Sequence, residues 1–192
     1  MLWLILGLVL FLGVHSVSII DADWRNRTAA RLGQLPWKAI YGLVALLGLY
    51  LIVIGYGQAR VAVDPIVLYQ PPVWMRHITL LLMLPVFVLL LAAYLPGRIQ
   101  RATKHPMLLA TKIWALAHLL ANGTLADLLL FGGFLAWAVA DRISVKRRAP
   151  VPVPAAPAGR FNDWIALGAG LALYVLFLLW AHKALFGVAP IG

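Results

Sequence analysis

The sequence predicts an all-α fold, a polytopic transmembrane helix bundle of six spans, with five spans as the alternative. Three observations carry that expectation. Hydrophobic residues make up 64% of the 192, and only 11% are charged, where an ordinary soluble domain carries about 25%. One soluble core of this size cannot bury so much apolar surface, so lipid must act as solvent. The apolar residues fall into runs near the roughly 20 residues that cross a bilayer. Finally, the cations gather between alternate runs, as the positive-inside rule requires.

Six segments follow in order. Leu2–Ile20 has no basic residues before its apolar run and no small-residue cleavage site, so it reads as a retained helix rather than a signal peptide. The next are 37–56, 73–94, 106–120, 125–140 and 164–185. Segments four and five are short, about 15 residues each, and form a tight helical hairpin around Asn122-Gly123-Thr124. Gly123 supplies a stop, and Thr124 with Asp127 three residues on forms a capping box. A single bent helix through that turn is the five-span alternative. His105-Pro106 opens the fourth segment, with Pro in the first helical position. Asn162 or Asp163 caps the last helix. Gly132, Ala136 and Ala140 form a small-residue stripe that favours close helix packing. The organisation is thus a five-helix domain over 1–145, a basic and Pro-rich linker over 146–163 and a C-terminal transmembrane helix over 164–192. The Pro-rich part, 149–159, reads as a tether.

Thirteen of the sixteen basic residues lie on alternate links. Arg25, Arg27, Arg31 and Lys38 follow the first segment, and Arg98, Arg101, Lys104 and Lys112 follow the third. Arg142, Lys146, Arg147, Arg148 and Arg160 follow the fifth. Six spans with both termini outside the cytoplasm satisfy that bias. The scattering of cations over separate links excludes a nucleic-acid face. The partner is the lipid bilayer.

With no Cys and no Glu, thiolate, iron–sulfur and paired-carboxylate chemistry are excluded or poorly supported. Phosphate loops, dinucleotide fingerprints, nucleophile elbows and zincin motifs are likewise missing. Histidine remains. His15 lies inside the first segment and His118 inside the fourth, where a polar ring faces the bundle interior and needs a partner. One reading makes both structural. The other uses neutral imidazole as a ligand to haem iron between facing helices. Helical spacing places Thr111, Trp114, His118 and Asn122 near one face. Trp114 is then placed to lie against a macrocycle and Ser18, near His15, to orient its ring. His77 and His182 read as interfacial.

The run from His105 to Gly123, with Asp127-Leu128-Leu129-Leu130-Phe131-Gly132-Gly133 and the early Gly13-Val14-His15-Ser16, resembles the NnrU family of bacterial inner-membrane proteins. The resemblance implies a link to denitrification and nitric oxide metabolism. That family is similar to plant 15-cis-zeta-carotene isomerase, a membrane haem b protein that performs a redox-dependent isomerisation. The resemblance implies haem b here, with His15 and His118 as metal ligands and Trp114, Ser18 and Asn122 beside the cofactor. The isomerase carries Cys where this chain has Ala115, so a thiolate ligand has no counterpart. The His105-Pro106 pair is also similar to that of membrane isoprenylcysteine-type methyltransferases, whose acidic C-terminal elements this chain lacks.

Depth constrains the ligand pair. His118 lies 13 residues beyond His105, about 20 Å along a helix, whereas His15 is near the cytoplasmic end of its segment. If Lys112 marks the membrane surface, the two depths agree; otherwise His105 is the second choice of partner for His15. The expected function is a haem-dependent redox or isomerase-like reaction on a lipophilic small molecule, or handling of nitric oxide. A non-enzymatic accessory or transport factor with structural histidines is the alternative.

Overall fold

The computed structural model of the chain describes residues 1–148 and 154–191. The first part of the expected tether, 149–153, lies outside the described residues. The helices are α1 (Leu2–Ile20), α2 (Ala22–Leu32), α3 (Gln34–Arg60), α4 (Met75–Met83), α5 (Val86–Ala92), α6 (Arg98–Thr103), α7 (Pro106–Ala121), α8 (Leu125–Asp127), α9 (Gly133–Ser144), α10 (Asn162–Leu176) and α11 (His182–Phe186). Wider π-turns at Leu128–Gly132 and Phe177–Ala181 join α8 to α9 and α10 to α11. Four stretches are long and apolar enough to cross a membrane: Leu2–Ile20, Gln34–Arg60, Met75–Ala92 and Asn162–Phe186. Pro106–Ala121 is apolar but has only 16 residues. The chain is therefore an all-helical membrane protein.

The chain divides into two compact units, Met1–Gln70 with Gly123–Ala149 and Pro71–Asn122 with Pro150–Gly192. The break at Asn122-Gly123-Thr124 is a true interruption, because Asn122 and Thr124 are both extended. The helix is broken at that point, and the break leaves the number of spans, six or five, to the topology test.

In the first unit α1 lies against α3. Their backbones meet at glycines: a Cβ on Gly48 would fall within 3.0 Å of Phe11, and one on Gly55 would run into the backbone of Leu4. Gly7 stands equally close to Ile52 and Gly48. In lipid, where apolar burial between helices gains little, such close contact is what holds helices together. The stripe expected to do this does not: Ala136 and Ala140 are exposed, and a side chain at Gly132 would touch only its own helix. The link after α1 is helical, since Asp21 accepts a hydrogen bond from the Trp24 N–H at 2.7 Å and starts α2.

The expected capping box is present. Thr124 Oγ1 accepts from the Asp127 N–H at 3.3 Å, and the Asp127 carboxylate accepts from the Thr124 N–H at 2.9 Å and from its hydroxyl at 2.6 Å. The buried carboxylate also accepts from the Tyr56 hydroxyl at 2.5 Å, which ties α3 to the start of α8. Beside it, the Gly123 carbonyl accepts from the Leu68 and Tyr69 N–H groups at 2.8 and 3.2 Å. Any side chain at Gly123 would overlap the Tyr69 carbonyl, so glycine is required there. Tyr69 lies outside the spans; burial, with the Asp127 charge adding to it, raises its pKa above the ordinary phenol value.

In the second unit Val86, Leu89 and Ala110 form a core covered by Met83, Ile99, Ile113 and Trp114. The expected third segment is bent at Pro85, which cannot continue the hydrogen-bond ladder. Leu84 donates to the Leu81 carbonyl at 3.3 Å, and the Leu80 carbonyl accepts from the Tyr174 hydroxyl at 3.1 Å. The bend thus supplies a polar anchor for α10, and Gly170 lets α10 approach Val88 closely. The Thr79 hydroxyl donates to the Ala117 carbonyl at 3.0 Å, joining α4 to α7.

The capping expected of Asn162 or Asp163 goes elsewhere. Phe161 precedes α10, and Asp163 instead accepts from the Arg98 and Ile99 N–H groups at 2.8 and 3.0 Å, capping α6. Asn162 donates to the Pro96 and Pro157 carbonyls at 2.9 and 3.1 Å, and the Ala156 N–H donates to Tyr94 at 2.9 Å. The end of the Pro-rich stretch is therefore anchored.

Candidate functional site

His15 occupies the last third of α1, half-buried. Its Nδ1 lies 2.6 Å from the Phe11 carbonyl oxygen, one turn back. A carbonyl only accepts, so Nδ1 carries the proton and the ring's lone pair sits on Nε2. Aromatic rings surround it: Phe11 at 4.3 Å, Tyr41 edge-on at 5.2 Å and Trp137 edge-on at 6.0 Å between centroids. The indole Nε1 of Trp137 is buried with no hydrogen-bond partner among the described residues. Ser18 lines the same cavity, but the group that orients the imidazole is the Phe11 carbonyl. The neighbouring Ser16 hydroxyl donates to Leu12 at 2.7 Å.

That cavity has a volume of about 250 Å³ and is lined by Val14, His15, Val17, Ser18, Arg25, Trp37, Lys38 and Tyr41. It lies where α1 ends and α3 begins. Trp24 and Trp37 meet edge-on at 6.3 Å beside it. Two cations, two hydroxyls and an indole N–H border it, and no carboxylate does. The same unit also holds the ion pair of the half-buried Arg148 with the buried Asp141, at 2.7 Å.

His118 has the same local geometry near the end of α7. Its Nδ1 lies 2.8 Å from the Trp114 carbonyl, again one turn back, so this imidazole too carries its proton on Nδ1. The Trp114 ring is 5.3 Å from that of His118 and also packs on the Val86, Leu89 and Ala110 core. The Asn122 amide donates to the His118 carbonyl at 2.8 Å and closes the helix end. Thr111, expected on the same face, donates to the Met107 carbonyl at 3.0 Å. His105 is the N-cap of α7, with Pro106 in the first helical position as anticipated.

His182 is the residue that the reading of the sequence passed over. Its ring lies 6.5 Å from that of His118, with planes 21° apart, and its Nδ1 is 2.7 Å from the Val188 carbonyl. It directly follows the π-turn at Phe177–Ala181, and such turns recur at functional sites. A histidine beside Lys183 reads as interfacial in one dimension, and only the packing of the second unit brings it to His118. Among the described residues no three His, Cys, Asp or Glu side chains gather in a way that would hold a bare metal ion.

No curated protein and no solved structure gives a match to this chain. The sequence model of the NnrU protein family matches residues 3–190, reaching past the region of the earlier resemblance to include the C-terminal helix. With nearly every residue aligned to that model, and with an all-helical membrane fold, the chain belongs to the NnrU family.

Proposed function

We propose that this membrane protein holds haem b and that the imidazoles of His15 and His118 would hold its iron. In this reading it serves denitrification or nitric oxide metabolism through a redox or isomerase-like reaction on an apolar substrate. The supporting observation is the shared tautomer: each ring gives its Nδ1 proton to a carbonyl one turn back and keeps its lone pair on Nε2. Backbone carbonyls commonly orient metal-binding imidazoles in this way. The donor set fits the group. A macrocycle brings four nitrogens of its own, so two imidazoles suffice where no larger cluster of ligands exists among the described residues. When bound, haem supplies one-electron chemistry. The chain would orient the imidazoles, pack aromatic rings around His15 and keep water out.

The same proposal places the protein in the bacterial inner membrane with six spans and both termini periplasmic, from the charge bias of the links. Two other readings have support. The carbonyl bonds would satisfy a purely structural histidine equally well, which favours an accessory or transport factor without catalysis. The neighbouring rings of His118 and His182 favour His182 as an axial ligand within the second unit.

The test is the visible spectrum of detergent-purified protein, oxidised and reduced, expressed with haem supplied. A stoichiometric b-type Soret band lost in both His15→Ala and His118→Ala supports the proposed pair. A band that survives His15→Ala but disappears in His182→Ala moves the second ligand to His182. Loss in His105→Ala moves it to His105. No band in the parent protein defeats the haem reading and leaves the accessory role.

A further inference from the structure

We propose that the cavity at the end of α1 binds the oxyanion head of an acidic amphiphile, with Arg25 and Lys38 as its cationic partners. The inference stands without the haem reading, although both concern the surroundings of His15.

The lining is one-sided in its chemistry. Arg25, Lys38, Ser18, Tyr41 and Trp37, all with donor-bearing side chains, are among the residues that line a space of about 250 Å³. His15 also lines the cavity, and the anion needs nothing from its Nε2 lone pair. No carboxylate lines the cavity, and neither Arg25 nor Lys38 has an ion pair among the described residues. The two acids nearest in sequence are Asp21, which caps α2, and Asp23, in the first turn of that helix, and neither lines the cavity. The Arg25 guanidinium donates to its neighbour, the Asn26 side chain, at 3.0 Å. Asp141, whose charge reaches Tyr41, is already paired with Arg148, so two cations line a hollow without a carboxylate of its own, which calls for an anion.

Position selects the kind of anion. The Trp24–Trp37 pair and the surrounding cations mark the depth of a membrane–water interface. This is the link that the positive-inside rule assigns to the cytoplasm, where acidic lipids are enriched and basic pockets between helices take their head groups. The space falls below the roughly 300–1,000 Å³ of pockets that enclose whole ligands, but it is ample for a phosphate or carboxylate. Ile20, Leu35 and Ile40 are exposed apolar residues of the same helix ends, a path for an attached chain to leave toward lipid. The chemistry is that of a lipid phosphate; the carboxylates of a bound haem are a second source of the same group.

The test uses the full chain in detergent, haem-free and haem-loaded, with native mass spectrometry counting retained phosphatidylglycerol against phosphatidylcholine. The Arg25→Gln/Lys38→Gln double variant is compared with Lys38→Arg and with an Arg142→Gln/Lys146→Gln control whose residues do not line the cavity. Circular dichroism verifies folding. The expected result is preferential retention of phosphatidylglycerol, reduced about tenfold or more in the cavity double variant, kept in Lys38→Arg and unchanged in the control. Displacement by inorganic phosphate at concentrations matching the lipid assigns the site to a free anion. Lower haem retention in the cavity variant, with lipid capture unaffected, assigns it to haem carboxylates. Equal retention of both lipids, with the cavity variant matching the control in every arm, overturns the proposal.

Discussion

A histidine within an apolar helix has two polar atoms and few ways to satisfy them. His15 and His118 resolve this identically, giving the Nδ1 proton to the carbonyl four residues earlier. Such a bond forms within one helix and demands nothing of the rest of the fold. The two histidines were visible in the sequence; their partner was not, since Ser18 was expected to orient His15 and the Phe11 carbonyl does so. Tyr56 illustrates the difference. Asp127 was legible as part of a capping box with Thr124, but its buried carboxylate also accepts from a phenol 71 residues away. Tyr56→Phe removes that charge-assisted bond and is expected to lower stability by about 1.5–3 kcal/mol. Thermal unfolding in detergent measures the loss, and an unchanged melting temperature would refute the role given to this bond. Asp163→Ala is expected to cost about 0.5–2 kcal/mol through the lost cap. Its effect should appear as proteolytic fraying at Arg98–Thr103, the helix that it caps, with α10 intact.

At the level of helices, glycine position matters more than glycine content. Gly55 and Gly57 lie two residues apart on α3, yet a Cβ at Gly55 would strike the Leu4 backbone, while one at Gly57 meets nothing within 4 Å. Their alanine variants should therefore differ in sign. Gly55→Ala is expected to destabilise by about 1–3 kcal/mol through overpacking, and Gly57→Ala to stabilise by about 0.5–1 kcal/mol through helix propensity. Equal shifts in denaturation midpoint would show that α1 and α3 do not meet through Gly55. The sequence marked the stripe on 132–140 as the packing face because its spacing is regular. The close contacts instead use Gly7, Gly48 and Gly55, since a small residue permits an approach only where a partner helix arrives. Pro85 is similar: proline announces a bend, but that Tyr174 anchors to the Leu80 carbonyl beside it depends on where α10 packs.

Across the whole molecule, the unequal distribution of charge predicts an orientation, and the absence of cysteine makes it measurable. Single cysteines at residues 102 and 146 should label from the same side of the membrane under six spans and from opposite sides under five. A cysteine at residue 63 should label from the side opposite to 102 in either case. Membrane-impermeant maleimide on intact cells and inverted vesicles reads each position. Labelling of 102 and 146 from opposite sides would overturn six spans and require the C-terminal side to be inverted. The family match over 3–190 includes the C-terminal helix, so that helix belongs to the shared design rather than to an appended anchor.

Class, approximate helix positions, the break at Asn122-Gly123-Thr124 and the presence of two histidines within apolar helices were all readable from the chain. Each depends on composition or on residues within a turn or two of one another, where hydropathy and backbone geometry leave few choices. Other features required the fold: Tyr56 reaching Asp127, Asp163 capping α6, His182 arriving beside His118, and Arg25 and Lys38 facing one hollow with His15. These join residues from roughly 10 to more than 60 positions apart, on different helices. No periodicity encodes them, because they arise from the angle and depth at which one helix meets another.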